Sequence, residues 1–313
     1  MRLIDVQTLR LVNIFNPQQT EYAILSHTWG SEEVTFQEWE QVNPSGAIKG
    51  QCPHVHKSEY TNKIKAKSGY QKILGACEQA QRDGLQYLWC DTNCINKESS
   101  AELSEAINSM FAWYHDSRIC YAHLPDVSVP RNHFRQTCLS QLEDWFARND
   151  DDVSTLAEFS GSRWWTRGWT LQELLAPGEV EFYALDWTPL GSRTSLRTVI
   201  ARVTNIHEKV LADRNKIPTF SIAQRMSWAS DRKTTVIEDM AYCLLGIFGI
   251  NMPMLYGQGI QAFQKLQEEI IKISDDQSIF AWKLAAPDRN IWTGALAKSP
   301  SYFQDCGSIS RLP

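Results

Sequence analysis

Two tryptophans and a glutamate recur at four-residue intervals in the segment SRWWTRGWTLQELLAP (162–177), at Trp165, Trp169 and Glu173. In a helix this spacing places all three side chains on one face. A carboxylate beside tryptophan rings could stack a planar ligand and stabilise a cationic transition state. On spacing alone the simpler alternative is favoured, an exposed helical glutamate beside two core tryptophans, because such patterns mark functional sites only statistically.

Polar side chains also follow two apolar segments that have the length of buried strands. The run SHTWG (26–30) follows YAIL (22–25), and Asp91 follows YLWC (87–90). Ligands of open α/β sheets bind outside the carboxyl ends of the strands, so both positions are candidates for ligand contact. The alternative is turn chemistry, since Ser, Thr and Asp cap the backbone where strands end.

These side chains need a framework of strands and helices to position them. The hydrophobic patterns predict short strands within residues 1–25, then a helix at 69–83, a strand at 85–91, a helix at 99–115, and strands at 118–124 and 179–185. Ser99 and Glu102 form a possible capping box for the second helix. The alternation over 22–185 predicts an α/β fold with a mostly parallel sheet flanked by helices. Residues 40–68 have the composition of a surface loop or insertion.

The second half of the chain has a different pattern. Apolar residues at helical spacing predict helices at 234–248, after a Thr235/Glu238 capping box, and at 261–273. We therefore expect a core domain over 1–200 and a mainly helical extension over 201–313 that packs on it. The segment GQGIQA (257–262) imitates a dinucleotide fingerprint, but no convincing strand precedes it, so it predicts a helix-entry turn. The loop composition of 284–313 suggests that the natural protein continues.

Composition excludes several classes of protein. The net charge is −5 and the basic residues are scattered, which gives no nucleic-acid footprint. No apolar run approaches the roughly 18 residues of a membrane-spanning helix. Most of the eight cysteines lie in apolar runs, which predicts free thiols and a cytoplasmic location. Cys52, His54 and His56 lie close together, but no fourth zinc ligand is evident, so a surface loop is favoured over a metal site.

Three long segments, taken in order, resemble the signature blocks of HET domains, the fungal heterokaryon-incompatibility module. They are YAILSHTWG (22–30), the segment from Leu88 to Val127 that begins LWCDTNCINK, and SRWWTRGWTLQELLAP (162–177). A fourth segment, 223–259, resembles the region that follows the domain in many fungal incompatibility proteins. The chain departs from the family at Asn93, where Cys is usual, and at Asn96, where Asp is common. Both departures argue against a metal or disulfide role for that block.

HET domains resemble in turn TIR domains, which have a flavodoxin-like parallel sheet. AILSHTWGSEE is similar to the first-strand segment of plant TIR domains, and SRWWTRGWTLQEL to their SxWCLxEL helix. In NAD-cleaving TIR domains the glutamate of that helix is catalytic and a tryptophan four residues earlier lines the pocket. The resemblance assigns catalysis to Glu173, with no metal and NAD⁺ as substrate rather than cofactor. The expected substrate contacts are Ser26, His27, Trp29, Gly30, Asp91, Arg163, Trp165 and Trp169.

The resemblance implies a cell-death effector of vegetative incompatibility that hydrolyses NAD⁺ to nicotinamide and ADP-ribose when assembled. Its partners would be NAD⁺ or a related nucleotide, further copies of itself, and an attached or separate NLR-type sensor. A non-enzymatic adaptor that self-associates and passes the death signal by contact is the main alternative. A hydrolase that uses a Cys or Ser with His27, for instance an activated Cys94, is a third hypothesis.

Overall fold

The computed structural model describes residues 1–45, 55–129, 150–284 and 294–311. The strands of these residues form one sheet. They are β1 (Arg2–Asp5), β2 (Leu11–Asn13), β3 (Ala23–His27), β4 (Tyr87–Trp89), β5 (Ile119–His123), β6 (Val180–Tyr183) and β7 (Pro189–Ser192).

The strand order across the sheet is β2-β1-β4-β3-β5-β6-β7. The four central strands, β4, β3, β5 and β6, run parallel to one another. They correspond to the four strands predicted between residues 22 and 185, so the expected parallel core is confirmed. The sheet as a whole is mixed, because β1, β2 and β7 add antiparallel pairs at its edges.

Helices flank the sheet and lie in the crossovers that connect its parallel strands. In the first part of the chain they are α1 (Phe36–Val42), α2 (Val55–Ala66), α3 (Ser68–Arg82), α4 (Asp91–Cys94), α5 (Ser100–Asp116), α6 (Asp150–Gly161) and α7 (Thr170–Leu175). The predicted helices at 69–83 and 99–115 are α3 and α5. Ser99 caps α5 by accepting a hydrogen bond from the Glu102 N–H. The reciprocal half of that capping box is missing, because the Glu102 carboxylate accepts from the Asn96 N–H instead.

The prediction of a loop or insertion over 40–68 is wrong in part, since α2 occupies most of its second half. Pro, Gly and Lys composition suggested a loop, yet helix propensity in VHKSEYTNKIKA is adequate and Ile64 is buried. Cys52 and His54 lie outside the described residues, and so does the side chain of His56.

All elements that follow β7 in the described residues are helical. They are α8 (Arg197–Thr204), α9 (Glu208–Ala212), α10 (Ile222–Ser227), α11 (Asp239–Tyr242), α12 (Leu245–Phe248) and α13 (Gln261–Ile273), with 3₁₀ turns at Arg214–Thr219, Gln277–Phe280 and Pro300–Cys306. The last predicted helix, 261–273, is confirmed as α13.

The prediction of one continuous helix over 234–248 is wrong. The segment is divided into α11 and α12, and the second ends at Gly249 in the left-handed conformation. The capping box fails because the Glu238 carboxylate is used elsewhere: it accepts hydrogen bonds of 2.8 Å from both the Gly257 and Gly259 N–H groups. Those two glycines have positive φ and form the expected entry turn before α13.

The helical portion packs directly on the α/β portion. Arg232, which is buried, donates to the Thr170 hydroxyl at 2.9 Å, and Trp169 donates to Asp239 at 3.2 Å. Gly246 of α12 lies so close to Phe111 of α5 that a Cβ would overlap the ring. The expected boundary near residue 200 stays a prediction. In the part of the chain described here, no helix combines the length and apolarity that a membrane crossing requires.

Candidate active site

The site lies where two neighbouring parallel strands end. Ser26 and His27 are the last residues of β3, and they pair with Ala122 and His123 of β5. Asp91 follows β4, on the other side of β3. The backbone topology therefore brings the two predicted strand ends to one edge of the sheet, which is where α/β proteins bind ligands.

Glu173 lies at this edge, although its helix is far away in the chain. It belongs to α7, whose residues are all buried, and only 8% of Glu173 is exposed. The Ser26 hydroxyl donates a hydrogen bond to Glu173 Oε2. The indole N–H of Trp164 in turn donates to Ser26 Oγ at 2.9 Å. The simpler alternative of an exposed glutamate is wrong, because the carboxylate faces inward and is held by a defined network.

The environment of Glu173 favours its protonated form. Burial raises its pKa, and the negative charge of Asp91 adds to this effect. Hydrogen bonds from Ser26 and Tyr114 and the charge of His27 lower it, and the pKa rises to about 7 overall. Both protonation states are therefore populated near neutral pH, which is a property of many catalytic carboxyl groups.

A second cluster lies beside the first and is centred on His27. Its Nε2 atom is 3.1 Å from Asp91 Oδ1 and 3.7 Å from Cys90 Sγ. Burial and Lys72 lower the pKa of His27, but Cys90 and Asp91 outweigh them and raise it to about 9. Burial raises the pKa of Asp91, but Lys97 and His27 lower it by more. The pKa of Asp91 therefore lies well below its usual range. An ion pair between His27 and Asp91 follows.

The outer edge of this cluster carries an aromatic ring and a cation. The Trp29 indole donates to Asp91 Oδ2 at 3.1 Å, and the Lys97 ammonium is 3.4 Å from the same oxygen. Lys97 Nζ also lies 3.6 Å from the Trp29 ring centroid. Trp29 is 48% exposed, so its ring is available to a ligand. Gly30, next along the chain, donates its N–H to Glu33 Oε1 at 2.7 Å.

The prediction that Trp165, Trp169 and Glu173 share one helix face is wrong. Residues 163–166 form a 3₁₀ turn, and α7 begins only at Thr170. The Trp165 ring is buried against Phe159 and Phe182 in the core. Trp169, the N-cap residue of α7, donates its indole N–H to Asp239.

The predicted substrate contacts of Arg163 and His27 stay predictions. Arg163 lies 3.5 Å from Asp126, its ion-pair partner, and no contact in the described residues links it to Glu173. The His27 side chain is only 1% exposed in this conformation and lies 3.1 Å from Asp91. Cys94, the example given for the thiol hypothesis, does not suit that role, because burial raises the pKa of its thiol.

Two residues of the site, Trp164 and Lys97, were not predicted from the sequence. Trp164 was passed over because helical spacing selected its neighbour Trp165, and only a 3₁₀ turn presents Trp164 to Ser26. Cys90 was predicted to lie in the core or to line the site, and its Sγ atom lies 3.7 Å from His27 Nε2. No sequence pattern marked Lys97, apart from its position after the strand predicted at 85–91. The thiols of the described cysteines are free and buried, as expected from the apolar runs around them.

Comparison with known proteins agrees with the resemblance found in the motifs. Residues 22–173 match the family described as "Heterokaryon incompatibility protein (HET)", and residues 261–292 match "Domain of unknown function (DUF8212)". The chain is 40% identical over 252 residues to "Vegetative incompatibility protein HET-E-1" of Podospora anserina. That match covers 80% of this chain but only 16% of the relative. No solved structure matches the chain.

Proposed function

We propose that this chain, which carries a HET domain over residues 22–173, is a cell-death effector of vegetative incompatibility that hydrolyses NAD⁺. One observation supports the proposal above all: the Glu173 carboxyl group, with a pKa of about 7, is held by Ser26 at the carboxyl end of β3. The likeness to HET-E-1 supports the biological role.

The strand order supports a relation to TIR domains. Numbered along the chain, the four parallel strands β3, β4, β5 and β6 are arranged second-first-third-fourth. This is the start of the flavodoxin-like order, in which the ligand binds where the chain switches direction between the first and third strands. Ser26 and His27 lie at that point, and Glu173 is hydrogen-bonded to one of them.

The reaction needs few protein groups. The bond between ribose C1′ and the nicotinamide nitrogen breaks, its electron pair leaves with neutral nicotinamide, and C1′ becomes an oxocarbenium-like cation. Water adds to C1′ and releases a proton, which gives ADP-ribose. The ionised Glu173 carboxylate stabilises the cation and binds the ribose hydroxyls. Trp29 offers a stacking face, and Lys97, beside it, offers a cation for the diphosphate.

Access to Glu173 is narrow in this conformation, since the side chain is 8% exposed. We therefore propose that self-association, triggered by an NLR-type sensor, separates the surrounding elements enough to admit the ribose. Dilute monomer has little activity on this basis. A cytoplasmic location, which the buried free thiols support, gives the enzyme access to NAD⁺.

The test is nicotinamide release from NAD⁺ by the purified chain, measured over a range of protein concentrations and with a crowding agent. Glu173→Gln abolishes release while the protein remains folded. Glu179→Gln is the matched control, because Glu179 is exposed and pairs only with Arg118 on the surface in the described residues. Undiminished release by folded Glu173→Gln protein contradicts the mechanism.

A non-enzymatic adaptor is the second candidate function, and an exposed apolar patch favours it. The patch consists of Val236, Ile237, Leu255, Tyr256 and Ile260, each at least 40% exposed. Its two segments are held together by Glu238, which binds Gly257 and Gly259. Patches of this kind serve as association surfaces. Two results together would identify an adaptor. Wild-type protein releases no nicotinamide under any assembly condition, and Ile237→Asp blocks both assembly and cell death.

A further inference from the structure

Three metal-ligating atoms converge at the carboxyl ends of β3 and β4. They are His27 Nε2, Cys90 Sγ and an Asp91 carboxylate oxygen, and all lie within 4.8 Å of one another. Neighbouring residues of one strand end supply the thiol and the carboxylate, and the adjacent parallel strand supplies the imidazole. We propose that these three side chains bind one divalent cation of the zinc class.

The atoms around His27 Nε2 are placed for a metal ion, which would displace the proton of the His27–Asp91 ion pair. Its Nε2 atom is close to both Asp91 Oδ1, at 3.1 Å, and Cys90 Sγ, at 3.7 Å. A single ring N–H cannot be directed at both acceptors, whereas a metal ion contacts all three atoms at once. Tetrahedral zinc bonds of about 2.0–2.3 Å place pairs of ligand atoms roughly 3.3–3.6 Å apart, and the two measured distances fall on either side of that range.

Polar groups next to His27 and Cys90 are placed to orient these two ligands. His27 Nδ1 is buried without a hydrogen bond in the described residues, and Glu33 Oε1 lies 3.8 Å from it. Glu33 is in turn anchored by Lys72 at 2.7 Å. A histidine ligand commonly donates its second ring nitrogen to a carboxylate, which orients the ring and raises its basicity. The Thr92 hydroxyl, 3.1 Å from Cys90 Sγ, is placed to donate to a thiolate.

The donor set selects the metal. One thiolate, one imidazole and one carboxylate suit Zn²⁺, Co²⁺ or Ni²⁺, whereas Mg²⁺ and Ca²⁺ prefer oxygen ligands. The thiolate and carboxylate together carry the charge that a divalent ion neutralises. The departure at Asn93 argued against a metal in this block, but position 93 supplies none of the three ligands. The ion would join the ends of β3 and β4 next to Ser26, and so stabilise the edge on which Glu173 is held.

The test measures metal binding by the full chain. The protein is prepared under reducing conditions, stripped with a chelator, dialysed against buffered Zn²⁺ or Co²⁺, and assayed for metal content. We expect one ion per chain, and a Co²⁺ spectrum with tetrahedral ligand-field bands and thiolate-to-cobalt charge transfer. Cys90→Ser removes the charge-transfer band. Cys77→Ser, which changes another buried cysteine outside the cluster, leaves the band unchanged.

A milder variant keeps the proposal testable if Cys90→Ser does not fold. Glu33→Gln leaves the three proposed ligands in place, removes the carboxylate that faces His27 Nδ1 and pairs with Lys72, and is expected to weaken Zn²⁺ binding by about 10–100-fold. Wild-type protein that retains no metal after dialysis overturns the proposal. A Co²⁺ spectrum without thiolate charge transfer, or metal content and affinity unaffected by both Cys90→Ser and Glu33→Gln, also overturns it, since the ion is then held by groups other than these three side chains.

Discussion

The Ser26 hydroxyl donates a hydrogen bond to the Glu173 carboxylate although the residues are 147 positions apart in the chain. The same Ser26 oxygen accepts from the Trp164 indole, so one small side chain joins β3, the 3₁₀ turn at 163–166 and α7. Ser26 is fully buried, which means that water cannot replace either bond.

Ser26→Ala therefore leaves the buried Trp164 N–H without its acceptor and raises the pKa of Glu173 further. We expect a loss of about 1–3 kcal/mol in the free energy of unfolding, the usual cost of an unsatisfied buried donor. Chemical denaturation measures it. Ser31 is an exposed serine in the turn that follows β3, and Ser31→Ala should change stability by no more than about 0.5 kcal/mol. Equal stability of the two variants would show that the network contributes nothing.

Glu173 gives the protein a stability that depends on pH. In the folded protein its pKa is about 7, whereas the ordinary value for the unfolded chain is 4.5. The unfolded chain binds fewer protons between these values, so stability declines as pH rises from about 4.5 to 7 and is constant above that range. The decline is on the order of 3 kcal/mol. Glu173→Gln lacks the titrating group. Its free energy of unfolding relative to that of the wild type should therefore increase by that amount as pH rises from about 4.5 to 7.

Urea denaturation of both proteins at several pH values measures this difference. Glu179→Gln, the exposed control, should follow the wild-type curve. A difference between Glu173→Gln and wild type that is independent of pH contradicts the raised pKa.

The enzymatic proposal predicts a pH profile with the same origin. Only the ionised carboxylate stabilises a ribosyl cation, so kcat/KM for NAD⁺ should rise with pH and level off above about 7. The Ser26 hydrogen bond lowers the pKa of Glu173, and its removal in Ser26→Ala should move the midpoint to higher pH. Initial rates of nicotinamide release under assembly conditions give the profile. Activity that does not change down to pH 5 assigns the chemistry to another group.

The sequence predicted the parallel core and the two strand ends because each depends on local patterns. The segments around YAIL and YLWC are short, apolar and followed by polar residues, and burial of both sheet faces requires such runs. The antiparallel edge strand β7 was not predicted, since PLGS carries no alternation of apolar and polar residues.

The composition of the site was harder to predict because it depends on backbone departures from the regular helix. Four-residue spacing selected Trp165, whereas the 3₁₀ turn directs Trp164 to Ser26 and places Trp165 in the core. Glu173 was singled out as a candidate from its spacing and the family resemblance, but its burial and its raised pKa arise from residues distant in sequence. The Cys90 contact with His27 likewise follows from strand pairing, which no local pattern shows.

The position of Glu173 depends on a buried arginine. Arg193 donates to the Leu174 carbonyl at 2.6 Å and to the Gly178 carbonyl at 2.8 Å, and so holds the carboxyl end of α7. In Arg193→Lys the compact ammonium group cannot serve both carbonyls in the fork geometry of a guanidinium. We expect a destabilisation of about 1–3 kcal/mol, measured by chemical denaturation. Arg197→Lys is the control, because Arg197 is 44% exposed and should have little effect. Equal stability of the two variants argues against this role for Arg193.

The contact between Gly246 and Phe111 tests whether the C-terminal helices pack on the α/β portion as described. A Cβ at Gly246 of α12 would overlap the Phe111 ring of α5, so Gly246→Ala must displace one helix from the other. Overpacking of this kind costs about 1–3 kcal/mol, observable as a lower thermal unfolding midpoint. Gly161→Ala is the matched control, because nothing lies within 4 Å of its Cβ position. That control should be neutral or slightly stabilising, since alanine favours the helix. If Gly246→Ala unfolds at the wild-type temperature, α12 does not pack against α5 at this distance, and the two portions of the chain are less closely joined.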